Sequence, residues 1–156
     1  YSKGIERLSE FRYEESPEIQ IQNNDVLLSK DGANIGKVGI VKELPEPATV
    51  NSHIAVIRPN EDIIIGDYLY WYLKSTYFQK YCQSSITGTG TPGFSQDNIR
   101  KSRVPLPDFK EQRKIAGVLF NFESKVALYA QKKLKLVRLK KGLMQKLLTG
   151  QMRVKV

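Results

Sequence analysis

Pro105-Leu106-Pro107-Asp108 stands in front of forty residues that contain no proline. The two prolines remove backbone donors and hold their preceding residues extended, so no regular element continues through them. Asp108 followed by Glu111 is a capping-box pattern, with a side-chain acceptor at the N-cap and a carboxylate three residues later. Helix formers then run to Leu148, and Gly150 suits the position just past a helix C-terminus. A helix over 109–148 is about 60 Å long at 1.5 Å per residue. That exceeds the width of any domain the remaining residues can build, so the helix is expected to project.

The charge divides at the same place. The formal net charge is +9 over 156 residues. Residues 1–108 hold 7 Lys and 5 Arg against 14 acidic residues, a net of −2. Residues 109–156 hold 10 Lys and 3 Arg against 2 Glu, a net of +11. Two segments are therefore expected: 1–108 as a globular domain and 109–156 as a basic helix. The overall basicity points to a polyanionic partner, nucleic acid before a membrane surface.

Along that helix Ile115, Leu119, Phe122, Val126, Tyr129, Leu136, Leu143 and Leu147 follow a 3–4 spacing, interrupted by Lys133 and Lys140. A second stripe runs Ala127, Ala130, Leu134, Val137, Met144 and Leu148, interrupted by Lys141. Two adjacent stripes on a projecting helix call for a partner, either a like helix or a second protein. A merely solvated helix would leave this Leu/Val/Phe content wet. A membrane-surface helix would be expected to carry a Trp anchor, and this one has none.

The first segment reads as α+β. Asp25–Ser29 is a short strand, Lys30–Asn34 a turn, Gly36–Val41 a second strand and Ile54–Ile57 a third. Asp67 is the expected N-cap of a helix over about 68–82, with Leu69, Leu73, Tyr77 and Tyr81 on one face and Trp71 and Phe78 beside it. Those aromatics are expected in the core. Ser95 is expected to cap a short turn over 96–98, and a strand is expected around 102–105.

Several chemistries are excluded. Cys82 and His53 are the only residues of their types, which rules out an internal disulfide, a Cys-cluster zinc site and a multi-His metal centre. No apolar run reaches the 18–20 residues, roughly, of a membrane span. Gly88-Thr89-Gly90-Thr91-Pro92-Gly93 matches G-x-G-x-x-G in form, but a helix rather than a strand is expected before it and Pro92 interrupts it. It reads instead as a contact loop whose glycines allow close backbone approach. Asp31-Gly32 near Asn34 lacks the EF-hand ligand pattern. His53 is expected to be a structural hydrogen-bonding residue. The carboxylates form no nuclease-like cluster, and there is no Asn-Pro-Pro-aromatic motif of the amino-methyltransferase kind. No catalytic centre and no cofactor of the chain's own are nominated.

Three stretches resemble the specificity subunit of a type I restriction–modification system: DVLLSKDGANIGKVGIV (25–41) with NSHIAVIRP (51–59); TGTGTPGFSQDNIRKSRVPLPDFKEQRKIAGVLF (87–120); and LKKGLMQKLLTGQMRV (139–154). The resemblance implies a target-recognition domain followed by a long helix that packs antiparallel on a like helix. It implies that the domain reads one half of a split double-stranded DNA site. Adenine methyltransferase subunits would bind around the helices, and a motor-nuclease subunit would join for cleavage. S-adenosylmethionine would then belong to the methylation subunit, ATP and magnesium to the motor subunit, and the location would be cytoplasmic. The family's full subunit carries two such units, whereas this chain holds one and opens on Tyr1. A domain truncated at its N-terminus is therefore expected.

Base-reading residues do not carry over within such a family, so the DNA candidates rest on side-chain chemistry. They are the turn residues Lys30, Asn34 and Lys37; the loop residues Thr87, Gly88, Thr89, Gly90 and Thr91; and Ser95, Gln96, Asn98, Arg100, Lys101 and Arg103. The alternatives are a coiled-coil interaction scaffold that binds no DNA, which the acidic head favours, and a stand-alone DNA-binding regulator that dimerises through the helix.

Overall fold

The structure is a computed structural model that describes residues 17–86 and 93–154. Its elements are β1 (Gln20–Ile21), β2 (Val26–Ser29), β3 (Val38–Ile40), β4 (Ala48–Thr49), β5 (Ile54–Ile57), α1 (Gly66–Lys74), α2 (Thr76–Ser84), α3 (Gln96–Lys101) and α4 (Phe109–Leu148). This is an α+β domain followed by one long helix.

β2 is the centre of an antiparallel sheet of order β3-β2-β5. Val26 faces Ile40 on one side and Ile57 on the other, and Leu28 faces Val38 and Ala55. With a side-chain period of two, Val26 and Leu28 share one face, and both are fully buried. β1 and β4 form a separate two-stranded ladder. α1 packs against β2 and β3. Leu69 and Leu73 from α1, Phe78 and Cys82 from α2, and Phe94 complete the core. Phe94 meets Phe78 and Tyr81 edge-on, at ring-centroid distances of 6.0 and 5.8 Å. Such edge-to-face contacts add to the burial of the rings.

The single helix expected over 68–82 is two helices. Ser75 is extended (φ −64°, ψ 150°), so it ends α1 and caps α2 by accepting from the Phe78 N–H at 3.3 Å. The break rotates the buried face. Phe78 and Cys82 turn inward, while Tyr77, expected in the core, is 71% exposed. Asp67 is not the cap of α1. Ile65 holds that place, with Gly66 as first helical residue, and Asp67 sits in the first turn paired with Lys42. The second strand is shorter than expected, at Val38–Ile40.

No strand forms at 102–105. The segment forms no regular element, and side chains of α1 satisfy its carbonyls: the Tyr68 hydroxyl donates to Pro105 O at 3.0 Å and the Tyr72 hydroxyl to Arg103 O. Burial pushes both phenols above their ordinary pKa, which keeps them neutral donors.

The chain divides into two compact units, one ending at Ala116 and the other Gly117–Val156. α4 starts as its cap predicts, with the Glu111 N–H donating to Asp108 Oδ1 at 2.8 Å. Gln112 and Ala116 are its buried residues. Gly150, with φ +76°, ends it in the left-handed conformation that favours glycine.

Candidate nucleic-acid interface

The turn between β2 and β3 is built around glycines. Gly32 (φ +76°) opens a 3-10 turn over Gly32–Asn34, and Gly36 (φ +86°) returns the chain to β3. Asn34 and Lys37 are exposed at this turn. Gly36 rests against Gln79 of α2, whose amide donates to Gly36 O at 2.8 Å and to Leu73 O at 2.7 Å. The turn is therefore anchored to the α1–α2 junction rather than free.

Its other anchor joins segments distant in sequence. Lys30 N–H donates to His53 O at 2.9 Å, and Phe94 N–H donates to Lys30 O at 2.8 Å. Asp31 pairs with Gly93 as an isolated antiparallel bridge. The approach is close: a Cβ on Gly93 would stand 2.7 Å from Asp31 Oδ1. The Lys30 ammonium lies 2.7 Å from Asp31 Oδ2, and His53 Nδ1 lies 3.6 Å from the same oxygen. The hydrogen bond from Lys30 holds the Asp31 carboxyl below its ordinary pKa, with His53 adding to the effect. His53 thus serves the turn through its backbone carbonyl and its ring together.

α3 begins three residues after Gly93. Ser95 caps it, its hydroxyl accepting from the Asn98 N–H at 3.1 Å. The Asn98 amide donates to Ser85 O at 2.9 Å, and Asn98 O accepts from the Tyr81 hydroxyl at 2.8 Å. Asn98 therefore holds α3 against the end of α2, while Ser95 caps α3 itself. Gln96, Arg100, Lys101 and Arg103 are exposed. A six-residue helix is about 9 Å long, so these cations lie close in the chain to the Asp31–Gly93 bridge. Candidates Thr87, Gly88, Thr89, Gly90 and Thr91 fall outside the described residues.

Two buried polar anchors elsewhere in the head gave no local sequence signal. Asp25 is fully buried and is gripped by Arg58, whose Nε reaches Oδ1 at 2.9 Å and whose Nη2 reaches Oδ2 at 2.8 Å. The ion pair with Asp25 raises the guanidinium pKa further. Gln112, 1% exposed, accepts from the Ile65 N–H at 3.0 Å and donates to Ile63 O at 3.1 Å and Pro107 O at 2.9 Å. It ties the first turn of α4 to the loop before α1. Burial raises the pKa of the Cys82 thiol, so that group is no nucleophile at neutral pH. Among the described residues no group of three His, Cys, Asp or Glu is placed to hold a metal ion.

Of the apolar stripe on α4, Ile115 and Leu119 are half-buried. Phe122, Val126, Tyr129, Leu136, Leu143 and Leu147 are exposed, Tyr129 by 67% and Val126 by 66%. No helix among the described residues is long and apolar enough to cross a membrane.

A family model described as the type I restriction modification DNA specificity domain matches residues 4–138. The chain is similar to the MjaVIII type I restriction enzyme specificity subunit of Methanocaldococcus jannaschii, at 28% identity over 142 residues, covering 89% of this chain and 33% of that one. It is similar to the HindI specificity subunit of Haemophilus influenzae, at 25% identity over 114 residues, covering 71% of this chain and 25% of that one. Its fold is similar to the crystal structure of the HsdS subunit from Thermoanaerobacter tengcongensis, with a TM-score of 0.64 at 19% identity, covering 81% of this chain and 33% of that one. The chain thus spans about a third of the length of the first relative and a quarter of the second.

Proposed function

This chain belongs to the family of type I restriction modification DNA specificity domains, and from that premise we propose that it reads one half of a split double-stranded DNA site. In this reading it is non-catalytic. Adenine methyltransferase subunits dock on the helix and supply the chemistry, and the motor-nuclease subunit joins them. The full specificity subunit supplies a second recognition domain and a second helix. In this reading residues 1–108 are the recognition domain and α4 the spacer element, the start of α4 as far as Ala116 packing with the head's compact unit.

The observation that carries this reading is the bridge between Asp31 and Gly93. It joins the β2–β3 turn to the segment that leads from Gly93 into α3, two parts of the sequence that lie 62 residues apart. In this reading Lys30, Asn34 and Lys37 approach the bases and phosphates, with Gln96, Arg100, Lys101 and Arg103 alongside, and the sequence candidates at 87–91, outside the described residues, contribute with them. Loop side chains on a rigid support suit base-edge reading, and lysines and arginines suit phosphates. Ser95 and Asn98, engaged in capping, act by placing α3.

The exposed apolar side of α4 supports pairing with a like helix. In the intact subunit that helix comes from the same chain. This chain alone pairs two copies antiparallel, and light scattering at rising concentration measures this. A clean monomer contradicts it. The DNA reading is tested by assembling the chain with its cognate methylation subunit and shifting the split site on a gel. Assembly without any DNA shift favours a protein-interaction scaffold instead.

A further inference from the structure

We propose that α4 carries a second, sequence-independent DNA surface, formed by Lys125, Lys132, Lys135, Arg138 and Lys146, that takes the phosphate backbone of a duplex. All five are exposed. Their spacings of seven, three, three and eight residues place them within a sector of about 140° on a helix that turns 100° per residue. They run for about 32 Å along the axis, the length of roughly nine base pairs.

The pattern is not that of a helix kept soluble by charge. Such helices mix signs, with carboxylates three or four residues from the lysines. None of these five has an acidic residue at either spacing, in either direction. Glu123, the one carboxylate in 117–148, falls outside the sector. Lys132, Lys135 and Arg138 follow one another at intervals of three, where like charges repel on a bare helix. A polyanion removes that repulsion. Leu128, Gln131, Leu139 and Gly142 share the sector and are uncharged, and Leu143 lies on its edge at the azimuth of Lys125. Phe122, Val126, Tyr129, Leu136 and Leu147 lie outside it, so helix pairing through the apolar stripe leaves Lys135, Arg138 and Lys146 outward, with Lys125 and Lys132 at the border.

DNA is favoured over an acidic protein surface by how the charge is divided. Residues 1–108 carry a net of −2, so the head has little general attraction for phosphates. That attraction ordinarily supplies most non-specific DNA affinity, and here most of the net positive charge lies in the helix. The inference needs no base reading by the head.

The test uses the full chain and a random duplex of about 20 base pairs that lacks any target, with binding followed by anisotropy across a salt series. K132Q/K135Q/R138Q keeps helix propensity and removes three cations. It is expected to bind every duplex more weakly by the same factor. Its slope of log Kd against log salt should be shallower by roughly 0.9 for each phosphate no longer neutralised, close to 3 in all. K133Q/K140Q, on the apolar side, should leave the slope unchanged, and circular dichroism should show equal helix content in both variants. An unchanged slope in the triple variant, or an equal change in the control, overturns the proposal. So does a triple variant that keeps its DNA binding but no longer captures the methylation subunit. Loss of target preference alone, with the helix-dependent slope intact, would count against base reading by the head and not against this surface.

Discussion

Arg58 meets Asp25 with two nitrogens on two oxygens, at 2.9 and 2.8 Å, and Asp25 is wholly buried. The pair joins the end of β5 to the start of β2, and Arg58 also donates to Gln20 O at 3.1 Å. Removing Arg58 leaves a buried carboxylate whose remaining partner is the Gln22 N–H. Arg58→Ala should therefore cost about 3 kcal/mol in urea unfolding. Asp25→Leu with Arg58→Leu should cost less than Arg58→Ala alone, because no charge is stranded. Equal losses would show that the pair contributes only packing.

Gln112 holds three backbone groups from inside the first turn of α4. Gln112→Ala leaves the part-buried Ile65 N–H and two carbonyls without their partner and should cost about 3 kcal/mol. Gln112→Glu keeps the acceptor but loses both donors and buries a charge, so it should be at least as harmful. Thermal melts of the two variants check this.

Gly66 fits where no side chain does. A Cβ there would stand 2.6 Å from Asn24 O, a backbone atom that cannot swing away. Asn24 itself has φ +71°. Gly66→Ala should lower the melting temperature by several degrees, corresponding to about 1–3 kcal/mol of overpacking. Gly32→Ala, with open space around it, should be milder and reflect only its positive φ.

The Asp31 carboxyl has a folded pKa below its ordinary 3.8. A depressed carboxylate contributes stability that is present above the ordinary value and lost as pH falls through the lowered one. Asp31→Asn should therefore be less stable than the parent at pH 7, with the difference shrinking below about pH 4. Melts at pH 7, 5 and 3 should show that convergence, and a constant gap across the series would contradict it.

What the sequence disclosed was mostly local. The Asp108 cap, the Ser95 cap, the left-handed Gly150 and the Ile54–Ile57 strand are features of a few neighbouring residues, and each lies where its residues place it. The break at Ser75 was hidden because apolar spacing runs through it unbroken. Only the serine before Thr76 marked a cap, and a serine inside a helical run is weak evidence. The 102–105 segment has strand-like residues but finds its partners in tyrosine hydroxyls rather than a neighbouring strand. Asp25–Arg58 and Asp31–Gly93 span long stretches of chain, so no local pattern announces them. Gln112 has the composition of a surface helix position and is buried by the loop before α1.

The proposed reading of DNA sequence by the surface around the Asp31–Gly93 bridge is central. It is tested most directly by comparing target and non-target duplexes for the chain assembled with its methylation subunit, with and without R100A/K101A/R103A. The parent is expected to prefer the target. The variant is expected to bind roughly tenfold or more weakly, with a shallower salt dependence, because fewer phosphates are neutralised. Unchanged affinity and an unchanged salt slope in the variant, with assembly intact, would contradict that reading.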